Sequence, residues 1–173
     1  MDGGGVTMRQ TDITAEQIIE KLGMVPLADE GGMVLETYKS KTMTDDGKMA
    51  GSAIYYLLRG ESFSHFHRLS SDEIWHFYLG DPVELTELLP DGSVKMSRLG
   101  NDITNGECLQ HLIPAGNWQG ARLAEGGEWA LLGMSVCPGY DEKDYEHADR
   151  DTLLKQYPAA KEEIMSMTGT VKY

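Results

Sequence analysis

The sequence predicts an all-β jelly roll or barrel, and three observations carry the prediction. Short apolar or alternating runs recur from Met33 to Val136. Gly- and Pro-rich turns separate them at near-regular spacing, and no helical segment is interleaved as a parallel βαβ sheet would require. The 173-residue length suits one domain with a real hydrophobic core.

Taken in order, residues 1–12 read as a flexible, Gly-rich leader ahead of a single domain spanning 13–173. Thr14 to Gln17 spells a helix capping box, Ile18, Ile19 and Leu22 supply an apolar stripe, and Gly23 ends the helix. A connector with Pro26 and Gly31-Gly32 leads into strands at Met33–Tyr38, Ala53–Leu58 and Ile74–Leu79. Val83–Leu89 and Val94–Leu99 make a hairpin, because in Pro90-Asp91-Gly92-Ser93 proline sets φ and glycine accepts a positive φ. Leu109–Ile113, Trp118–Leu123 and Trp129–Val136 complete the series. Asp149 caps a helix through Leu153, Leu154 and Tyr157, and Pro158 starts another. These terminal helices are expected to pack outside the sheets.

Charge and composition exclude several classes. The net charge of −13, from 28 acidic and 15 basic residues, repels phosphate backbones and anionic bilayers, so neither nucleic acid nor membrane is an expected partner. The longest uncharged apolar stretch, Trp129–Tyr140, is too short to span a bilayer. Cys108 and Cys137 each sit in an apolar stretch and read as buried, inert thiols, and a cytoplasmic location is the default.

Chemistry concentrates at His65-x-His67. In a regular strand residues two apart share a face, so both imidazoles are expected to converge, with Glu73 close by. A carboxylate beside an imidazole makes an acid/base pair with or without a metal. Alternation puts Trp75 and Phe77 on Glu73's face as aromatic walls and turns His76 away. Gln119 follows a tight turn, and Trp118 and Gln119 both reach the pocket only if that turn twists the strand. Tyr38 and Tyr56 are candidate phenol acids. His111 and His147 read as structural or surface residues.

Two motifs carry a family resemblance. Gly60-x4-His65-x-His67-x5-Glu73-x6-Gly80 and Gly106-x7-Pro114-x-Gly116-x2-Gln119 resemble the paired motifs of the cupins. Leu22-Gly23, Glu36-Thr37-Tyr38, His67-Arg68, the run Ser71 to Phe77, Ile113 to Trp118, Asp149-Arg150 and Tyr157-Pro158 resemble one uncharacterised single-domain branch, found in bacteria, fungi and other eukaryotes. The resemblance implies a double-stranded β-helix, a homodimer and a barrel pocket for a small polar or sugar-like molecule. It also implies similarity to sugar-nucleotide epimerases.

On that resemblance His67 and Glu73 are the catalytic candidates for isomerase, epimerase or lyase chemistry. His65, Trp75, Phe77, Trp118 and Gln119 would bind ligand. A divalent metal (Fe, Mn, Ni or Zn) would sit on His65, His67, Glu73 and Gln119. The metal is an option and not the favoured reading. Five residues separate His67 from Glu73 where cupins use three or four, and Gln stands where they use His. The alternatives are a non-catalytic binding or sensing module and a metal-dependent oxygenase.

Overall fold

A computed structural model describes residues 13–173, so the leader expected at 1–12 lies outside the described residues. Helix α1 (Ala15–Leu22) forms as its sequence dictates. The Thr14 side chain accepts from the Gln17 N–H, the Gln17 side chain returns the bond, and Gly23 closes the helix at φ 69°. Eleven strands follow among the described residues: β1 (Val25–Pro26), β2 (Met33–Lys39), β3 (Ser52–Arg59), β4 (Phe63–Leu69), β5 (Asp72–Gly80), β6 (Val83–Leu88), β7 (Val94–Leu99), β8 (Gln110–Ile113), β9 (Trp118–Leu123), β10 (Trp129–Cys137) and β11 (Tyr145–His147). Helices α2 (Arg150–Gln156) and α3 (Lys161–Ser166) come last, with a 3-10 turn at Pro158–Ala160 between them.

The strands form two antiparallel sheets, ordered β1-β2-β3-β10-β5-β8 and β11-β4-β9-β6-β7. The alternating register sends one set of side chains from each sheet between them. Tyr56, Leu58, Trp75, Phe77, Val83, Leu85, Leu123 and Leu132 fill that space. The helices cover the outer faces. Ile18 of α1 packs on Leu57 and Leu131, and Leu153 of α2 and Ile164 of α3 pack on Phe66, Leu88 and Trp118. Burying each of these aliphatic side chains contributes about 2 kcal/mol.

Cys137 is exposed and Cys108 only half-buried, which corrects the expectation of two buried thiols. Cys137 ends β10 and pairs with Asp72 at the sheet margin, where the barrel no longer covers it. Among the described residues no helix is long and apolar enough to cross a membrane.

Candidate functional site

The site begins at an irregularity in β4. Ser64 lies opposite Ala121 of β9 and His67 opposite Gln119, so His65 and Phe66 together face the single residue Gly120. Such a bulge breaks the alternation of side chains. A Cβ on Gly120 would lie 3.0 Å from the Phe66 ring, so glycine lets that ring seat beneath the C-terminal helices. The expected convergence of His65 and His67 therefore fails.

His65 turns to the sheet edge. Its Nε2 accepts from the Gly169 N–H at 3.1 Å, so its Nδ1 carries the hydrogen and donates to the Phe66 carbonyl at 2.9 Å. Burial pushes its pKa down to about 4, against the pull of that carbonyl, with the charges of His147 and His67 adding to the fall.

His67 faces the interior. Its Nδ1 donates to the His65 carbonyl at 2.8 Å, which aims Nε2 into the barrel mouth. There Nε2 stands 4.0 Å from Glu73 Oε2 and 4.0 Å from Glu30 Oε1. Those gaps are too long for direct hydrogen bonds, and a small polar group lying between could bond to both sides. The Tyr145 ring stacks on the imidazole with centroids 5.3 Å apart.

Glu73 is buried at the start of β5. Burial lifts its carboxyl to about 7, against the opposing pull of His67, and the negative charge of Glu30 adds to the rise. Gln119 holds it in place: the Gln119 amide donates to Glu73, and the Gln119 carbonyl accepts from Trp75 Nε1 at 2.7 Å. Trp75 thus acts on the site through Gln119, while Phe77 sits two residues further along β5 in the apolar core.

Trp118 is not part of this surface, which corrects the ligand-binding expectation. Gln119 points inward beside Ala121, so its neighbour Trp118 points outward, beneath the C-terminal helices and under the Arg68 guanidinium at 4.5 Å. Of the candidate phenols, Tyr38 is exposed on β2. Tyr56 is fully buried and donates to the Gly31 carbonyl at 2.9 Å.

Sequence reasoning missed Glu30, Tyr140, Tyr145 and His147. Glu30 comes from the connector before β2, where Asp29 adopts φ 65° and Gly31 and Gly32 are both at positive φ. A Cβ on Gly31 would collide with the Phe63 carbonyl, and one on Gly32 would lie 2.8 Å from the Leu57 carbonyl. The glycine pair lets the connector lie flat on β3 and β4 and deliver Glu30 to the mouth, where Ser64 Oγ donates to it at 2.9 Å. That pair was the readable signal. The Gly32 N–H bonds to the Lys172 carbonyl at 2.9 Å, so the C-terminal segment helps hold the connector. Tyr145 and Tyr140 border the mouth. Burial raises both phenols, Tyr140 to about 12 and Tyr145 further, and the charge of Glu30 adds to each.

The predicted metal set does not assemble. His65 has both ring nitrogens engaged, and the Gln119 oxygen is engaged by Trp75. Among the described residues no group of three His, Cys, Asp or Glu side chains is arranged to hold a metal ion.

Two antiparallel sheets closed over an apolar core, with a polar cluster of His67, Glu73 and Glu30 at one mouth, define a small β barrel. Residues 16–148 match a family model described as cupin superfamily (DUF985), and the chain belongs to that family. It is similar to protein SO0799 of Shewanella oneidensis, with TM-score 0.85 and 33% identity over 91% of this chain and 98% of that one. A hypothetical protein from Leishmania major gives TM-score 0.83 and 32% identity over 91% of this chain and 100% of that one. The uncharacterized protein YML079W of Saccharomyces cerevisiae is 31% identical over 106 residues, 59% of this chain and 52% of the yeast protein. The chain thus spans about half the length of that relative. The oxalate decarboxylase of B. subtilis shares the fold at TM-score 0.54 and 16% identity, over 86% of this chain and 38% of the enzyme.

Proposed function

We propose that the barrel mouth binds a small polar, sugar-like molecule and moves a proton on it, as an isomerase or epimerase does. One observation carries the reading: His67 Nε2 faces two carboxylates at 4.0 Å each, and one of them, Glu73, has its pKa lifted to about 7. A group poised near neutral pH both takes and returns a proton efficiently. His67, fixed by its Nδ1–H, is the base. Glu73 takes and returns the proton with it, Glu30 sets the field around both, and Tyr145 supplies a phenol on the same wall.

Polyhydroxy aldehydes and ketones are the substrate class. The test incubates the protein with such compounds in heavy water and follows deuterium entry at the carbon beside the carbonyl by NMR. Entry that disappears in His67→Ala supports the reading. Binding with no exchange for every bound compound would replace it with a non-catalytic binding module.

The same reading includes a cytoplasmic homodimer. Only Met33 and Val34 of β2 are paired by β1, which leaves the rest of that strand's outer edge available to a second copy. Light scattering tests this, and a monomer mass would end it.

A further inference from the structure

The proposed reaction leaves one conspicuous group unused. His65 belongs to the motif that marks the site, yet it neither faces the mouth nor offers a free nitrogen. Its ring instead lies against His147, with centroids 3.8 Å apart and planes 24° from parallel. His147 pairs in register with His67 across β11 and β4. Its Nδ1 lies 3.1 Å from the hydroxyl of Tyr145, the ring stacked on His67. His147 and His65 also line a cleft of about 390 Å³, with Asp149, Arg150, Thr168 and Gly169. His147 itself is exposed.

We propose that these contacts form a proton relay. His147 passes protons between solvent and the Tyr145 phenol at the mouth, and His65 is the positioning residue that holds His147 in line. The inference rests on the acid/base reading of the mouth and names its route to water. In the working state His147 Nδ1–H donates to the Tyr145 oxygen, leaving the phenol hydrogen free to point at the substrate. When Tyr145 gives that proton to a substrate carbanion or alkoxide, a phenolate remains. The Nδ1 proton moves onto the phenolate oxygen while Nε2 takes a proton from the cleft. One proton enters from water, one reaches the substrate, and no electrons are exchanged. The ring resets when it swings into the cleft, giving its Nε2 proton back to water and taking one up at Nδ1, a motion an exposed side chain makes within nanoseconds.

His65 suits its place. Locked as the neutral Nδ1–H tautomer by the Phe66 carbonyl and the Gly169 N–H, it offers a flat, uncharged face to an imidazole that exchanges protons. The charged and titratable groups around the relay are His67, Glu30, Asp29 and Tyr140 on the mouth side and Asp149, Arg150 and Asp151 on the cleft side.

The test uses the whole chain without ligand, so it stays readable if no substrate is found. NMR measures the exchange lifetime of the Tyr145 hydroxyl proton with water, assigned by its loss in Tyr145→Phe. A working relay keeps the lifetime short in the wild type and lengthens it at least tenfold in His147→Gln. His65→Phe, which keeps a ring to stack on, should stay within about threefold of wild type, while His65→Ala should lengthen the lifetime. Backbone amide spectra check that each variant is folded. Equal lifetimes in wild type and folded His147→Gln overturn the relay. Equal lifetimes in His65→Ala and wild type overturn the positioning role. If no compound shows deuterium entry while the lifetimes respond as expected, the substrate reading fails and the relay stands.

Discussion

Two acid–imidazole pairs, His67 with Glu73 and His111 with Glu87, stand at similar separations and are held differently. One member of each, His67 and Glu87, lies on a single rung of the second sheet, and the other, Glu73 or His111, comes from the first. The register sets His147 of β11 opposite His67 of β4, His67 opposite Gln119 of β9, Gln119 opposite Glu87 of β6, and Glu87 opposite Lys95 of β7. On the Glu87 side, His111 of β8 places Nε2 3.8 Å from Glu87 Oε2. That separation is close to the 4.0 Å between His67 and Glu73. In both pairs burial raises the carboxyl, and His111 is pushed down by burial as well.

The difference lies in the supports. His67 is aimed by a bond from its other nitrogen, and Glu73 is gripped by the Gln119–Trp75 chain. Glu87 Oε2 and His111 Nε2 are buried without a hydrogen-bond partner, and Lys95 stands 4.0 Å from the other Glu87 oxygen. The proximity of an acid and an imidazole is therefore common to both ends of the rung. Orientation by further hydrogen bonds belongs to one.

The largest expected effect separates the two imidazoles. His67→Ala should lower deuterium entry by ~10²–10⁴-fold, the usual contribution of a general base, while His111→Ala should change it less than about twofold. Measured side by side, equal losses would erase the distinction.

The next effect is on stability. The Glu73 carboxyl is raised in the folded state, from 4.5 to about 7. The folded chain therefore holds that proton more tightly than the unfolded chain. The stability this provides is fully present below pH 4.5 and is lost as pH climbs through 7. The loss amounts to about 3 kcal/mol. Glu73→Gln removes it, so urea titrations at pH 5 and pH 8 should differ less in the variant than in wild type.

The smallest effect concerns the unsupported pair. Glu87→Gln supplies a neutral amide that can bond His111, which should raise stability by about 1 kcal/mol at neutral pH without altering exchange. A loss of exchange in that variant would make the far pair part of the working site.

Much of this architecture was legible in the residues. The Thr14–Gln17 box, the Pro90–Ser93 turn and the alternation in β5 each acted locally, so α1, the β6–β7 hairpin and the inward faces of Glu73 and Trp75 follow from sequence. What escaped depends on contacts between distant segments. The β4 bulge is settled by Gly120, more than fifty residues downstream, and it redirects His65. Glu30 sits in an irregular connector whose path only the packing of Gly31 and Gly32 reveals. Tyr145 and His147 lie in a three-residue strand too short to carry a period. The family motifs grouped His67, Glu73 and Gln119, which the structure brings together, with His65 and Trp118, which it does not: a regular strand was expected in β4, which bulges, and a twisted one at the start of β9, where alternation holds.

The bonds from the C-terminal segment have a consequence for how the chain is made. The Lys172 carbonyl holds the connector that carries Glu30, and the Gly169 N–H locks His65, so two earlier parts of the sequence wait on residues 169–172. During synthesis the sheets can close before those residues leave the ribosome, whereas the mouth cannot. Displacing residues 169–172 would thus leave paired sheets whose His65 and Glu30 connector have lost their hold.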